Sequence, residues 1–124
     1  MNELPETNFI EIILLYFGFR NRYRVENNSM LPALRSGEQV IVKKSAKLKV
    51  GDIVVAQHPY KRSVEIIKRI EKIESDGKYF LVGDKLDEST DSRTFGAVSI
   101  ECIKGKVISR LSNFDKGKVQ SKNG

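Results

Sequence analysis

A lysine in the middle of an apolar strand pattern is the first residue here that could do covalent chemistry. In Val64-Glu65-Ile66-Ile67-Lys68-Arg69-Ile70-Glu71, strand alternation puts Val64, Ile66, Lys68 and Ile70 on one face, and Glu65, Arg69 and Glu71 with Ile67 on the other. The first face is core-like except for Lys68; the second is mostly solvent-like. Burial strips water from an ammonium and favours the neutral amine, which can then act as a general base near neutral pH. Alternation alone equally allows a register slip, or a lysine whose head snorkels past the sheet edge. A base needs a nucleophile, and Asn27-Asn28-Ser29-Met30-Leu31-Pro32 offers Ser29 between turn-forming asparagines and a stiffening proline. Alone, such a serine is ordinarily a turn residue or a cap. A third segment, Gly83 to Gly96, is rich in hydrogen-bonding side chains and contains Asp91-Ser92-Arg93, where a carboxylate and a guanidinium could brace a loop or simply face solvent.

Elements of two kinds must position these groups. Residues Phe9 to Phe19 are almost wholly apolar, broken by Glu11 and Gly18, and Asn8 three positions before Glu11 has the spacing of a capping pair. A short helix is predicted there. It falls short of the ~20 apolar residues that a bilayer crossing needs, and it lacks the flanks of a secretory signal. It is expected to pack on the domain or on an oligomer partner, with peripheral docking on a bilayer through Phe9 to Phe19 as the functional alternative. From Arg22 onward the pattern changes to short β-type runs: Tyr23 to Val25, Gln39 to Lys43, Asp52 to Gln57, Val64 to Ile73, Tyr79 to Val82 and Val98 to Leu111. Turn signals such as Ser36-Gly37, His58-Pro59 and Ser75-Asp76-Gly77 separate them. Gly105 to Leu111 is expected to close a sheet, and the polar, Lys-rich Ser112 to Gly124 to be disordered. The predicted fold is mainly β: an apolar helix over residues 1–21, a small β domain over 22–111 and a disordered basic tail over 112–124.

A length of 124 residues suits one domain, and 40% hydrophobic with 31% charged residues suits a globular one. A single His58 and a single Cys102 exclude a Cys/His zinc cluster and an internal disulfide. A lone cysteine sits comfortably in a reducing cytoplasm. The net charge of +6 permits nucleic acid or an anionic surface as a partner. Its distribution weakens the first option. Arg20, Arg22, Arg24, Lys43, Lys44, Lys47 and Lys49 form one basic stretch, and Lys116, Lys118 and Lys122 lie in the tail, with no recognised nucleic-acid module beside them. No specific nucleic-acid partner is expected.

Taken in order, the three clusters resemble the signal peptidase family of serine proteases, which use a Ser/Lys dyad. The resemblance runs from about Arg22 to Val107. Ser29-Met30-Leu31-Pro32 is similar to the family's nucleophile box, Gly51-Asp52-Ile53-Val54 to its second, Ile67-Lys68-Arg69-Ile70 to its lysine box, and Gly83-Asp84 with Ser89 through Gly96 to its last. Within the family, Val54 to Tyr60, Ile66 to Arg69 and Glu88 to Arg93 look like the short nickel-type superoxide dismutase maturation proteases. The resemblance implies a small signal-peptidase-like β domain and a serine endopeptidase that removes an N-terminal extension from a precursor, here nickel superoxide dismutase. With its lone cysteine the protein is expected to be cytoplasmic, with a position peripheral to a membrane as the alternative. The nickel would belong to the substrate, and no metal or cofactor is implied for this chain. Ser29 would be the nucleophile and Lys68 the base; the Ser29 N–H and Asn27 would hold the oxyanion; Ser89 would orient the Lys68 amine; Asp91 and Arg93 would pair. His58 reads as a turn residue before Pro59, with lining of the substrate groove as the alternative. Two positions depart from the family pattern, Ala33 for a threonine and Lys85 for an asparagine after Gly-Asp. The rival readings are a general signal peptidase that uses Phe9 to Phe19 against a membrane, a self-cleaving repressor-type protease, and a non-catalytic basic β module that binds nucleic acid.

Overall fold

The computed structural model describes residues 4–44, 47–85 and 90–111. Helix α1 (Phe9–Tyr16) starts where Asn8, in extended conformation, accepts the Glu11 N–H on its side chain at 2.9 Å. That bond satisfies one of the amides a helix start leaves unpaired. Gly18, at φ +86°, turns the chain out of the helix, and Arg20 reaches back to Glu11 at 2.9 Å. This segment packs on the domain only in part, with Ile12, Leu14 and Leu15 half-buried. None of the eight helical residues is buried, and Phe9, Ile10, Tyr16, Phe17 and Phe19 are largely exposed. No helix among the described residues is long and apolar enough to cross a membrane.

Six strands form one antiparallel sheet: β1 (Asn21–Arg24), β2 (Gln39–Lys43), β3 (Ile53–Gln57), β4 (Glu65–Ile73), β5 (Tyr79–Val82) and β6 (Ile103–Arg110). Their order across the sheet is β1-β2-β6-β3-β4-β5. The mainly β prediction holds, with two differences in detail. The run from Val98 to Leu111 is not continuous: Val98 forms a lone bridge to Tyr79, a 3-10 turn follows at Ile100–Cys102, and β6 begins at Ile103. Moreover β6 does not close the sheet at an edge but lies in its middle, joining β2 to β3. Gly105 makes this approach possible, since a Cβ there would stand 2.5 Å from Val42 Cγ1.

Two cores lie against this sheet. One gathers Val25, Met30, Leu34, Val40, Val42, Ile53, Val55, Ile67 and Val107; the other gathers Val54, Ala56, Ile70, Leu81 and Val98. Ile67 is therefore buried, although alternation places it on a solvent-like face, and Val64, expected in the core, precedes β4 and is 39% exposed. A strand covered on both faces loses the inside/outside contrast on which alternation depends. The tail over 112–124 lies outside the described residues.

Candidate active site

Strand β4 delivers Lys68 opposite Val54, on the face that carries Ile66 and Ile70. Ser29 comes from the loop after β1. The fully buried Met30 side chain anchors that loop in the first core, and the Lys85 N–H donates to the Ser29 carbonyl at 2.7 Å. The two functional atoms meet there: Lys68 Nζ is 2.8 Å from Ser29 Oγ, with Ser29 only 1% and Lys68 only 3% exposed. Burial pushes the Lys68 ammonium below its ordinary range; the Asp91 carboxylate acts upward and the Arg93 guanidinium downward, and the net direction is down. A buried amine of lowered proton affinity beside a hydroxyl is the arrangement a general base needs to activate a nucleophile.

Behind this pair stand two carboxylate–guanidinium forks. Asp91, 1% exposed, caps helix α2 (Ser92–Phe95) through the Arg93 N–H at 3.0 Å, accepts the Gly83 N–H at 2.9 Å, and takes two bonds from the Arg93 guanidinium. Burial pushes the Asp91 carboxyl up, but Arg93 and the two backbone N–H groups overcome that and hold it at about 2. Asp91 therefore stays ionised at neutral pH, as a charge compensated by Arg93. The second fork is Arg69 on Asp84, at 2.8 and 2.7 Å, with a third bond from Arg69 to the Gly51 carbonyl at 2.8 Å. Because Arg69 follows Lys68 and Asp84 precedes Lys85, this fork ties the lysine strand to the turn whose amide holds Ser29.

The sequence matches the family described as signal peptidase, peptidase S26, over residues 7–74 and 71–112. This chain belongs to the signal peptidase family. Among its curated relatives, mitochondrial inner membrane protease subunit 1 of Xenopus tropicalis is 32% identical over 106 residues, covering 67% of this chain and 64% of that protein. The chain thus spans a little less than two thirds of that relative. The Schizosaccharomyces pombe protein of the same name is 33% identical, covering 67% of this chain and 68% of its own. Mitochondrial ATP-independent inner membrane protease subunit 1b of Arabidopsis thaliana is 30% identical over 132 residues, covering 86% of this chain and 77% of its own. These relatives carry the names of inner membrane proteases, not of nickel superoxide dismutase maturation proteases.

In this signal peptidase family member, Asn27 and Ser29 are bonded to each other. Asn27 Oδ1 accepts the Ser29 N–H at 3.0 Å, an Asx turn that occupies the donor expected to hold an oxyanion. For both groups to face a substrate oxygen, the Asn27 side chain must rotate and turn its amide NH2 outward. Ser89 lies outside the described residues. His58 is buried in the turn after β3, its Nδ1 accepting the N–H groups of Tyr60 and Lys61 at 3.1 Å each and its ring 4.9 Å from that of Phe95. It shapes the turn and touches neither Ser29 nor Lys68 by any hydrogen bond the structure records. Among the described residues no group of His, Cys, Asp and Glu could hold a metal ion. Sequence reasoning missed Ser92, whose buried Oγ accepts the Leu81 N–H at 2.9 Å, and the Arg69–Asp84 fork. The fork had a signal: Arg69 shares its strand face with the apolar Ile67, and a guanidinium so placed needs a carboxylate.

Proposed function

We propose that this chain is an endopeptidase with a Ser29/Lys68 dyad that removes N-terminal extensions from precursor proteins at a membrane surface. The buried 2.8 Å contact between Lys68 Nζ and Ser29 Oγ carries the reading. Neutral Lys68 takes the Ser29 hydroxyl proton as Oγ attacks the scissile carbonyl. The ammonium then gives that proton to the leaving amine as the C–N bond breaks, and an acyl-enzyme forms. Water, deprotonated by the same amine, attacks the ester and frees the new carboxylate and Ser29. The membrane setting draws on the names of the relatives and on the exposed aromatic and aliphatic side chains of α1. It takes precedence over a protein free in the cytoplasm. The nickel superoxide dismutase precursor, suggested by Val54 to Tyr60 and Glu88 to Arg93, is the narrower substrate reading.

The experiment incubates wild type and Ser29→Ala with two precursors, one bearing a leader for membrane translocation and one of nickel superoxide dismutase, and follows the products by mass spectrometry. Wild type is expected to trim the first, and the alanine variant neither. Cleavage of the dismutase precursor alone would restore the narrower reading. Unchanged processing by Ser29→Ala would remove Ser29 from the mechanism.

A further inference from the structure

One buried titratable side chain has no part in the proposed hydrolysis. His58, the single histidine of the chain, lies buried in the turn between β3 and β4. Its Nδ1 accepts the N–H groups of Tyr60 and Lys61 at 3.1 Å each, and its own backbone N–H donates to the Val64 carbonyl at 2.8 Å, which closes the turn. A ring nitrogen that accepts two N–H groups carries no proton, so the imidazole is neutral and its hydrogen sits on Nε2. A proton on Nδ1 would point at two other N–H groups and undo both bonds. The turn can stay closed only while the ring is neutral.

The ring reaches the surroundings of the dyad through α2. It lies 4.9 Å from the ring of Phe95, the last residue of α2, which packs against the second core with Val54 and Ala56; Val54 stands opposite Lys68. At its other end this single helical turn is pinned to β5, by Asp91 on the Gly83 N–H and by Ser92 on the Leu81 N–H. The Asp91 carbonyl accepts the N–H groups of both Thr94 and Phe95, at 2.7 and 3.1 Å. A shift of Phe95 is therefore passed to Asp91, whose carboxylate acts with Arg93 on the charge of Lys68. Burial and then the Lys61 ammonium lower the proton affinity of His58. Of the other charged groups on the elements around it, Arg93 on α2 is paired with Asp91, and Arg62 in the turn and Glu65 on β4 are exposed. We propose that His58 is a proton-operated positioning residue: neutral, it closes the β3–β4 turn and seats α2 with Asp91 and Arg93 behind Lys68; protonated, it opens the turn and releases that support. The effect on catalysis rests on the endopeptidase reading, whereas the opening of the turn does not.

Because His58 has no other histidine beside it, its ring signals can be followed by NMR without ambiguity. In the wild-type protein the ring is expected to titrate below the 6.5 of an ordinary histidine. Above that midpoint Nδ1 should show the nitrogen shift of an unprotonated acceptor, and below it the Tyr60 and Lys61 amides should exchange faster, against the ordinary slowing of amide exchange in acid. The second readout is kcat/KM on a leader peptide for wild type and His58→Asn. Asparagine presents a carbonyl oxygen near the place of Nδ1, which accepts both N–H groups and does not titrate. Lys68 ionises in both proteins and cancels from the ratio of wild-type to variant rates. That ratio should be constant above the ring's midpoint and fall by up to about tenfold per pH unit below it. A ring that titrates at or above 6.5, or whose neutral form carries its proton on Nδ1, would overturn the proposal; these measurements need no variant, so they decide even if His58→Asn fails to fold. A ratio constant at every pH would overturn the positioning role while leaving the peptidase standing. A wild type that cleaves no leader peptide would sink the endopeptidase reading and the positioning role with it, and the ring titration would still decide whether the turn opens.

Discussion

In the proposed dyad Lys68 can act only as a free amine, so the proton it holds in water has to be lost before turnover. Burial lowers its proton affinity, and activity is expected to rise with pH through a value below the 10.5 of an ordinary lysine. Lys68→Arg supplies a permanent cation and Lys68→Met no base; both should lose on the order of 10⁴-fold or more in single-turnover rate. A Lys68→Arg enzyme with a normal rate and pH profile would refute the dyad. The same shift bears on stability. The unfolded chain binds this proton more readily than the folded one, so the site's contribution is complete above 10.5 and is lost as pH falls toward the folded value. Lys68→Met should therefore unfold at higher urea than wild type at pH 7. Asn27 offers a second check. Asn27→Ala removes a side chain that can turn a donor toward an oxyanion, at a cost of about 10²-fold in kcat. Asn27→Asp should be slower still, because a carboxylate would both hold the Ser29 N–H more firmly and place negative charge where the oxyanion forms; an Asp variant faster than the Ala variant would count against this role.

Among the elements, β6 approaches β2 closely at Gly105. Gly105→Ala would thrust a methyl group to 2.5 Å from Val42 Cγ1 and 3.0 Å from the Lys43 carbonyl, and is expected to cost about 1–3 kcal/mol. Urea denaturation should show a lower midpoint at unchanged slope; an unshifted midpoint would mean that the strands separate freely at that point. Nothing in the sequence around Gly105 announces this, since Val42 is brought there by a pairing across sixty residues of chain. Local signals fared better. The Asn8–Glu11 cap starts α1 where its spacing says, and β2 and β5 match their apolar runs residue for residue. Alternation put Lys68 on a buried face and erred at Ile67, because a second core lies against the other side of β4. The meeting of Ser29 with Lys68 was legible only through the order of four motifs, and the Ser92 bond to Leu81 not at all, as it depends on how α2 folds against β5.

At the scale of the whole molecule, α1 leaves a large apolar surface uncovered, with Arg22 and Arg24 exposed on the strand that follows. Soluble monomers rarely carry such a patch without a use for it. The protein is expected to sediment with vesicles of phosphatidylserine and phosphatidylcholine, and Phe17→Ser/Phe19→Ser to lose more than half of that binding; equal sedimentation of both would remove α1 from the membrane reading. The position of β6 reaches further, into how the protein is made. Among the described residues, strand pairing joins β1–β2 to β3–β4–β5 through β6, and one backbone bond outside the sheet, from the Lys85 N–H to the Ser29 carbonyl, also links the halves; Ser29 belongs to the first half and Lys68 to the second. A ribosome that has translated through β5 has released both residues but not the strand that aligns their two halves. On the dyad reading, hydrolytic competence is expected only once the chain to Arg110 has emerged, so that the nascent protein would be a silent protease during most of its own synthesis.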